Sequence, residues 1–523
     1  GGVINLITKK SQIARFDTEL NSHYENNGFK TLTARAGYSK NKWICQITGN
    51  MQQFIPNIDT FQGRDQIWNP KVQKSARTFI RYTPSEDFDI RLSANILDEK
   101  VDNQGEKRRT VFKPYSFDDE YLTDRYDVNL HMDQWTKSKN LFQTTLGYNY
   151  FNRIKNSYRF DFDEEKKSLI DGMQDTASSS GFLTRFTFAH DNKKRSWNYL
   201  LGLENYFETA IGSRLRDSNS SVPGKAFTND LGVFASGKIR IGKQLTLQSG
   251  ARWTLNMRYG SAISPSTSLF WQPKLPLQFR LSWAYGFRSP SLKELFFNFI
   301  DVNHFVVGNS NLKPEYAVNL RGEITLKTLR SKNSELALTT TGFYNKIDNR
   351  IILSALGPVH YEYRNVENWE TKGGSLRLSG NIVDWCRFQS EVITTGFYNS
   401  NAEISQHEYL WSTDWTNDLT ISLFKNKLSW NIWHKRTGKT PFFYNKDGKT
   451  EQGLTESFHI LNMGLSTHFV DKRIRINTGI KNIFNIRQLA SNNNNGIHIE
   501  ASNQQNLHWG RTFYINLILQ WND

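Results

Sequence analysis

The side chains best suited to catalysis or metal binding are few in this sequence and stand far apart. It contains 11 histidines, dispersed along the chain, and two cysteines, Cys45 and Cys386, which lie outside any Cys-x-x-Cys or metal-ligand spacing. No Gly-x-Ser-x-Gly elbow and no His-Glu-x-x-His pair occurs. Because covalent catalysis needs a nucleophile with a base beside it, the sequence argues against an enzyme. Two distant cysteines also argue against a disulfide framework.

The charge of the chain is basic, with 66 Lys and Arg against 50 Asp and Glu, a formal net charge of +16. A basic total can indicate a nucleic acid or another anionic partner. Here the charges are scattered through turns and alternating segments instead of being gathered on one helix or stripe. We therefore expect no nucleic-acid partner.

Alternation of apolar and polar residues is the dominant pattern of the sequence. In the segment 141–151, Phe142 and Tyr148 take one face, whereas Gln143 and Asn149 take the other. Successive side chains of a strand point to opposite sides, so each such segment reads as a strand with one apolar and one polar face. The same alternation recurs in three later segments: 245–253, 474–481 and 512–521.

Two architectures produce such strands, namely a set of soluble sandwich domains and a membrane barrel. Hydrophobic residues make up only 37% of the chain while aromatic residues reach 14%, which suits a barrel wall with aromatic girdles. The predicted strands have roughly 10 to 16 residues, longer than the usual five or six. Short turns alternate with long polar loops, and the chain ends on an aromatic-rich strand. No run of 18 apolar residues occurs, so no transmembrane helix is predicted.

Counting the turns gives the size of the barrel. Ten hairpins account for 20 strands, and one strand at each end, near Gln12–Tyr24 and Leu507–Trp521, makes 22. The sequence thus predicts an all-β fold, a 22-stranded antiparallel transmembrane β-barrel, which is wide enough to need a plug. The ten predicted turns are Ser39–Lys42, Pro84–Asp87, Lys137–Asn140, Asp191–Arg195, Ile241–Lys243, Pro273–Pro276, Arg330–Asn333, Asp384–Trp385, Lys425–Lys427 and Asp471–Arg473.

Four local motifs carry a family resemblance. They are the opening Gly1–Lys9, the mid-chain pair Phe287–Leu295 and Gly308–Glu315, the segment Lys481–Asn485, and Gly510–Tyr514. In this order and spread over the whole chain, they resemble the TonB-dependent receptors of the bacterial outer membrane. The Asn-rich and Lys-rich composition resembles members from the Bacteroidetes.

The resemblance implies two parts and a mechanism. Residues 1–10 resemble the end of the plug domain, and residues 11–523 the barrel. No secretory signal opens the sequence, so we expect a fragment whose plug is almost entirely missing. The family imports scarce, large nutrients across the outer membrane of Gram-negative bacteria. A TonB energy-transducing complex pulls the plug, outer-membrane lipids surround the barrel, and a surface lipoprotein is a further expected partner.

The loops are modest in size, which makes the chain more similar to importers of ferric siderophores, haem or cobalamin than to those of large glycans and peptides. We expect an iron complex, either haem or a ferric siderophore, with cobalamin as an alternative. A passive porin is the other alternative, although porins have fewer strands, about 16 to 18. No resident cofactor is expected, since haem would be the transported ligand.

The segment between the two mid-chain motifs supplies the candidate binding residues. His304 is its only histidine, and in haem-importing relatives a histidine in this loop ligates the iron. A neutral imidazole is a common axial ligand of haem iron, so His304 is the expected metal ligand if haem is the cargo. Phe297 and Phe305 would cover the porphyrin, and Arg288 or Lys293 would meet a propionate.

Each of these residues also has a purely structural interpretation. His304 would then be a solvated loop histidine bonded to Asp301 or Asn303, and Arg288 would pair with Glu294 on the loop. The phenylalanines would pack the loop instead of forming a ligand platform.

Overall fold

Backbone pairing decides the architecture of this chain. The computed structural model describes residues 15–56, 68–109, 113–192, 195–216, 224–300, 305–330, 334–355, 360–399, 409–446, 449–490 and 504–523. Within these ranges almost all regular structure is β-sheet, and the one helix, α1, spans Leu292–Phe296. No helix there is long and apolar enough to cross a membrane, a finding that concerns helices alone.

The described strands, in chain order, are β1 Phe16–Glu25, β2 Phe29–Lys40, β3 Trp43–Phe54, β4 Lys71–Ser85, β5 Phe88–Gln104, β6 Tyr115–Trp135, β7 Asn140–Asp161, β8 Lys166–Leu169, β9 Asp175–His190, β10 Trp197–Gly212, β11 Lys225–Ile241, β12 Leu245–Asn256, β13 Gly260–Trp271, β14 Leu277–Arg288, β15 Asn298–Ile300, β16 Phe305–Val307, β17 Glu315–Arg330, β18 Glu335–Ala355, β19 His360–Val383, β20 Cys386–Asn399, β21 Leu410–Leu423, β22 Leu428–Thr437, β23 Thr440–Lys446, β24 Lys449–Thr455, β25 Phe458–Phe469, β26 Ile474–Lys481, β27 Gln488–Ala490, β28 Gln504–Asn506 and β29 Thr512–Asn522.

Twenty-two of these strands form one closed antiparallel barrel, as the sequence predicts. The ring closes where β1 pairs with β29, with Leu20 opposite Leu519. Strands β8, β15 and β16 extend the same sheet at one end, and the pairs β23–β24 and β27–β28 form two separate hairpins. Closure gives every barrel strand two neighbours, so no open edge faces lipid.

The two ends of the barrel differ. The ten predicted turns all fall between the ends of consecutive barrel strands, and we call that side the turn end. The other side, the loop end, carries the longer connections. Strict alternation of short turns with long loops is wrong at the loop end, where residues 26–28 alone join β1 to β2 and residues 257–259 alone join β12 to β13. The strands also exceed the predicted lengths, up to 24 residues in β19.

The predicted bounds of the first and last strands are shifted by a few residues. β1 begins at Phe16 and β29 at Thr512, since residues 507–510 belong to the loop before it. The predicted plug segment 1–10 and residues 12–14 of the first predicted strand lie outside the described residues.

The alternation along each strand separates lipid-facing from lumen-facing side chains. On β29, Phe513 and Ile515 are each 51% exposed on the outside, whereas Thr512 points inward and is buried. Ion pairs cover much of the lumen side of the wall. For example, Glu204 of β10 accepts hydrogen bonds from Arg185 of β9 and, across β11, from Arg252 of β12.

The two faces respond oppositely to charge, which gives a test. Leu517 lies at the middle of β29 on the outer face, so Leu517→Arg should cost about 2–4 kcal/mol of unfolding free energy in bilayers. Asn516→Arg places the same side chain toward the lumen and serves as the matched control. Denaturant unfolding from lipid vesicles measures both. A destabilised Asn516→Arg beside an unchanged Leu517→Arg would show that the faces are reversed.

Candidate functional site

The mid-chain motif folds into a compact cap at the loop end of β14 and β17. Helix α1 begins with a capping box, in which the Ser291 backbone N–H donates to Glu294 Oε2 at 2.7 Å and the Glu294 N–H donates to Ser291 Oγ at 3.3 Å. This reciprocal pair satisfies the first free N–H groups of the helix and fixes its start. The sequence Ser-x-x-Glu therefore determines where the chain turns over the rim.

Arg288 binds this helix to the barrel. Its Nε donates to Glu315 Oε2 at 2.6 Å, and its two Nη atoms contact the Glu294 carboxylate at 3.0 and 3.2 Å. The second oxygen of Glu315 accepts the Ile351 N–H at 2.7 Å. One guanidinium thus joins β14, α1 and β17, and Glu315 extends the link to β18. The ion pair between Arg288 and Glu294 is therefore present, as the purely structural interpretation of these residues predicted.

A buried apolar cluster lies beneath the cap. The helix residues Leu292, Leu295 and Phe296 are at most 5% exposed, so they contribute packing to the rim instead of an exposed patch. Burial of a leucine or phenylalanine side chain stabilises a fold by about 1.5–3 kcal/mol. The remaining buried members of the cluster are Ala226, Leu312 and Ile351.

Of the other predicted binding residues, two lie on the cap and two lie wholly or partly outside the described residues. Lys293 is exposed, and its Nζ lies 5.4 Å from the centre of the Phe297 ring. Phe305 begins β16, where its backbone pairs with His360 of β19. His304 lies outside the described residues, and so does the side chain of Phe305. The structure therefore brings Arg288, Lys293 and Phe297 onto one cap, while the roles predicted for all five residues stay predictions.

A concave part of the lumen wall lies beside the cap on β14, β17, β18 and β19. It encloses about 590 Å³, within the size range of small-molecule sites. We call it the upper wall. Its lumen-facing side chains are Ser282, Ala284, Asn319, Arg321, Phe343, Asn345, Ile347, Trp369 and Thr371.

Arg350 lies against one of the rings of the upper wall. Its guanidinium carbon lies 3.8 Å from the centre of the Trp369 ring, a close cation–π contact. Asn349, the residue before it, has a positive φ of 58°, which departs from extended strand geometry, whereas the register of β18 against β19 is the same on both sides of Asn349. Alternation assumes an extended backbone at every position, so it did not identify Arg350.

Gly373 makes room for the aromatic side of the upper wall. A Cβ at this position would lie 2.8 Å from Cζ of Phe343 and 2.1 Å from the carbonyl oxygen of Thr394. Any side chain there would push β19 away from β20 and displace the Phe343 ring. Nearby, Asn345 Nδ2 donates to Thr371 Oγ1 at 3.1 Å, which fixes a second lumen-facing pair.

The two C-terminal motifs have structural roles. Asn482 bonds Ile486 through both side-chain atoms, at 2.7 and 3.0 Å, and Asn485 Oδ1 accepts the Arg511 N–H at 2.9 Å. Gly510 has a φ of +93° and approaches Asn485 so closely that a Cβ would lie 2.6 Å from Oδ1. The motifs close the last loop before β29.

No group of three or more metal-ligating side chains is present in the described part of the chain. Residues 60–483 match the family model described as TonB dependent receptor-like, beta-barrel. The chain belongs to this family. Its place is the bacterial outer membrane, with the turn end toward the periplasm and the loop end outside.

Two curated relatives are the iron-regulated outer membrane virulence proteins of two Vibrio cholerae serotype O1 strains. They are 23% and 22% identical to this chain over 458 residues, which is 82% of the chain. The chain spans about 63% of the length of these relatives.

Solved structures of similar fold are also receptors. A variant of the ferric enterobactin receptor PfeA from Pseudomonas aeruginosa has a TM-score of 0.75 at 15% identity, covering 100% of this chain and 82% of that one. The siderophore receptor PirA from the same organism gives 0.70 at 12% identity, with 100% and 83% covered. The FrpB iron transporter from Neisseria meningitidis gives 0.69 at 14% identity, with 98% and 82% covered. These likenesses show the fold, and the Bacteroidetes origin stays a prediction.

The ion pairs of Arg288 make the cap testable. Glu315→Ala removes the acceptor of both Arg288 and the Ile351 N–H, so exchange of the Ile351 amide should speed up and protease cleavage within 288–315 should increase. The loss should be about 1 kcal/mol of local stability, because the guanidinium is 44% exposed and partly screened. Hydrogen-exchange mass spectrometry measures it.

The matched control is Glu362→Ala, which removes a more exposed pair with Arg364, 51% exposed, at the same end of the barrel. This variant should leave exchange at Ile351 unchanged. Equal exchange in the Glu315→Ala and wild-type proteins would contradict the proposed role of the Arg288 cluster.

Proposed function

We propose that this chain is the membrane barrel of an active transporter that imports a ferric siderophore across the outer membrane. Membership of the TonB-dependent receptor family supports this proposal, as do the named ligands of similar proteins. The observation that carries it is the upper wall, where two aromatic rings and Arg321 line one concavity and Arg350 stacks on one of the rings.

The chemistry of the upper wall suits a ferric chelate. Siderophore complexes combine flat unsaturated groups with negative charge around the iron. Trp369 and Phe343 offer ring faces for stacking, and Arg350 and Arg321 offer charge-assisted hydrogen bonds to anionic oxygens. Asn319 adds an amide that donates and accepts.

Energised transport is part of the same proposal. A plug domain in the complete protein would fill the lumen, and a TonB complex in the inner membrane would pull it. The 22 strands support this over a passive porin, which has about 16 to 18. The family and the similar structures are receptors and transporters, in line with a role other than catalysis.

Haem is the second candidate cargo, and it rests on His304 alone. The loop position and the imidazole chemistry support it, whereas no described residue favours cobalamin. A ferric siderophore and haem would depend on different residues of the chain, so experiments can distinguish the two ligands.

The siderophore proposal predicts which side chains set the affinity. Trp369→Ala and Arg350→Ala should each weaken binding of a radio-iron-loaded tris-catecholate siderophore about tenfold, since a desolvated cation–π or charged contact contributes about 1–2 kcal/mol. Trp271→Ala is the control, because this tryptophan lies on the lipid face at the turn end, 42% exposed. Filter retention of the purified protein measures the affinities.

Absence of binding for catecholate, hydroxamate and carboxylate siderophores alike would refute the proposal. So would an equal loss in Trp271→Ala, because the effect would then reflect general damage to the barrel.

The haem candidate predicts a spectroscopic signature. Haem titrated into the purified protein should shift the Soret band, and His304→Ala should remove the shift, because the axial ligand is lost. His459→Ala, which changes a histidine on the outer face of β25, should leave the spectrum as in the wild type. A Soret band that is the same with and without His304 would exclude this residue as the ligand.

A further inference from the structure

A strongly basic patch lies on the lumen wall near the periplasmic turn end. Four cations, Lys238, Arg240, Arg280 and Arg321, line a concavity of about 470 Å³, and Glu323 is the one carboxylate among its lining residues. The patch spans β11 to β14 and β17, where the lumen faces of these strands approach the turn end. We call it the lower patch.

Lys238, Arg280 and Arg321 outnumber the carboxylate beside them. Arg280 Nη1 lies 3.0 Å from one oxygen of Glu323, and Arg321 Nη2 lies 3.2 Å from the other. One carboxylate thus serves two guanidiniums, which remain 59% and 57% exposed to the lumen. Lys238 makes no ion pair within the described ranges of the chain. Several positively charged donors are therefore left facing the lumen.

The neutral residues of the lower patch fit the same kind of ligand. Thr246, Gln248, Ser268 and Ser282 line it with hydroxyl and amide groups that donate hydrogen bonds. Hydrogen bonds from cationic donors to oxyanions are roughly twice as strong as neutral ones. A concave surface of one charge sign also raises the local concentration of counter-ions. A small anion with several oxygen atoms meets these conditions.

The lower patch adjoins the upper wall. Ser282 and Arg321 line both concavities, so the two surfaces are continuous along β14 and β17. When the plug is pulled in the proposed mechanism, a ligand released from the upper wall toward the periplasm would next meet the lower patch. The two sites differ in character, because the upper wall has Trp369 and Phe343 whereas the lower patch is mainly cationic.

We propose that the lower patch is a second ligand site of the lumen, which binds small multivalent oxyanions such as polycarboxylates on their way to the periplasm. Its place in transport rests on the proposed function, but its anion binding follows from its own residues and does not depend on which chelate is imported.

Citrate is a suitable probe, and triethyl citrate is its uncharged counterpart. In calorimetric titrations of the refolded 523-residue chain at low salt, citrate should bind and triethyl citrate should not. Binding should weaken at least about tenfold at 1 M salt, where screening acts within about 3 Å. The double change Lys238→Gln with Arg280→Gln should weaken it at least tenfold at low salt, whereas Lys238→Arg with Arg280→Lys should keep it.

The matched control is Arg77→Gln, which removes one lumen-facing arginine from β4, outside the lower patch. It should bind citrate as the wild type does, and heat-modifiable migration on gels should show every variant folded. Absence of citrate binding, undiminished binding in the glutamine double variant, or an equal loss in Arg77→Gln would each overturn the proposal.

The same proteins separate this inference from the proposed function. The glutamine double variant should retain wild-type siderophore binding, because neither changed residue belongs to the upper wall. Citrate binding without siderophore binding would refute the proposed function and leave the lower patch standing. Siderophore binding without citrate binding would overturn the proposed anion site and leave the proposed function standing.

Discussion

Hydrocarbon offers no hydrogen-bond partner to a peptide group, and this constraint determines the whole molecule. Every N–H and C=O at membrane depth must pair within the sheet, so the wall has to close on itself. The pairing of β1 with β29 provides that closure through nine consecutive residue partners. A side chain continues the pairing just above this seam, where Asn26 Oδ1 accepts a hydrogen bond from the Phe513 N–H at 2.9 Å. Once the ring is closed, lumen and lipid faces are fixed for every strand.

Within this frame, the family motifs act mainly as structural elements. The mid-chain motif builds a helix cap and an ion-pair cluster around Arg288, and the C-terminal motifs fix the loop before β29. These interactions hold the rim in a defined shape beside the lumen. The residues proposed to bind the cargo, such as Trp369 and Arg350, stand instead at positions that belong to none of these motifs. A rigid rim around a variable interior allows one barrel design to serve different cargoes.

The sequence predicted the fold well because a period of two is a simple signal. Phe513 and Ile515 face lipid as their spacing indicates, and the turn residues mark each reversal at the periplasmic end. It predicted the site poorly, for physical reasons. Arg350 follows Asn349, whose positive φ interrupts the extended backbone that alternation assumes. Arg288 has two carboxylate partners, of which Glu294 was close enough in sequence to be named, whereas Glu315, 27 residues further on, was not.

The glycine under Phe343 has a consequence for how this protein can diverge. Gly373 contributes no side chain to the upper wall, yet a Cβ there would displace the Phe343 ring of β18 and collide with the Thr394 backbone of β20. The shape of the upper wall therefore depends partly on a residue that has no side chain in it. Surveys that compare only lumen-lining side chains among natural variants would overlook such positions. A change of transported ligand would then follow from a substitution that alters the spacing of the strands, before any lumen-lining side chain is replaced.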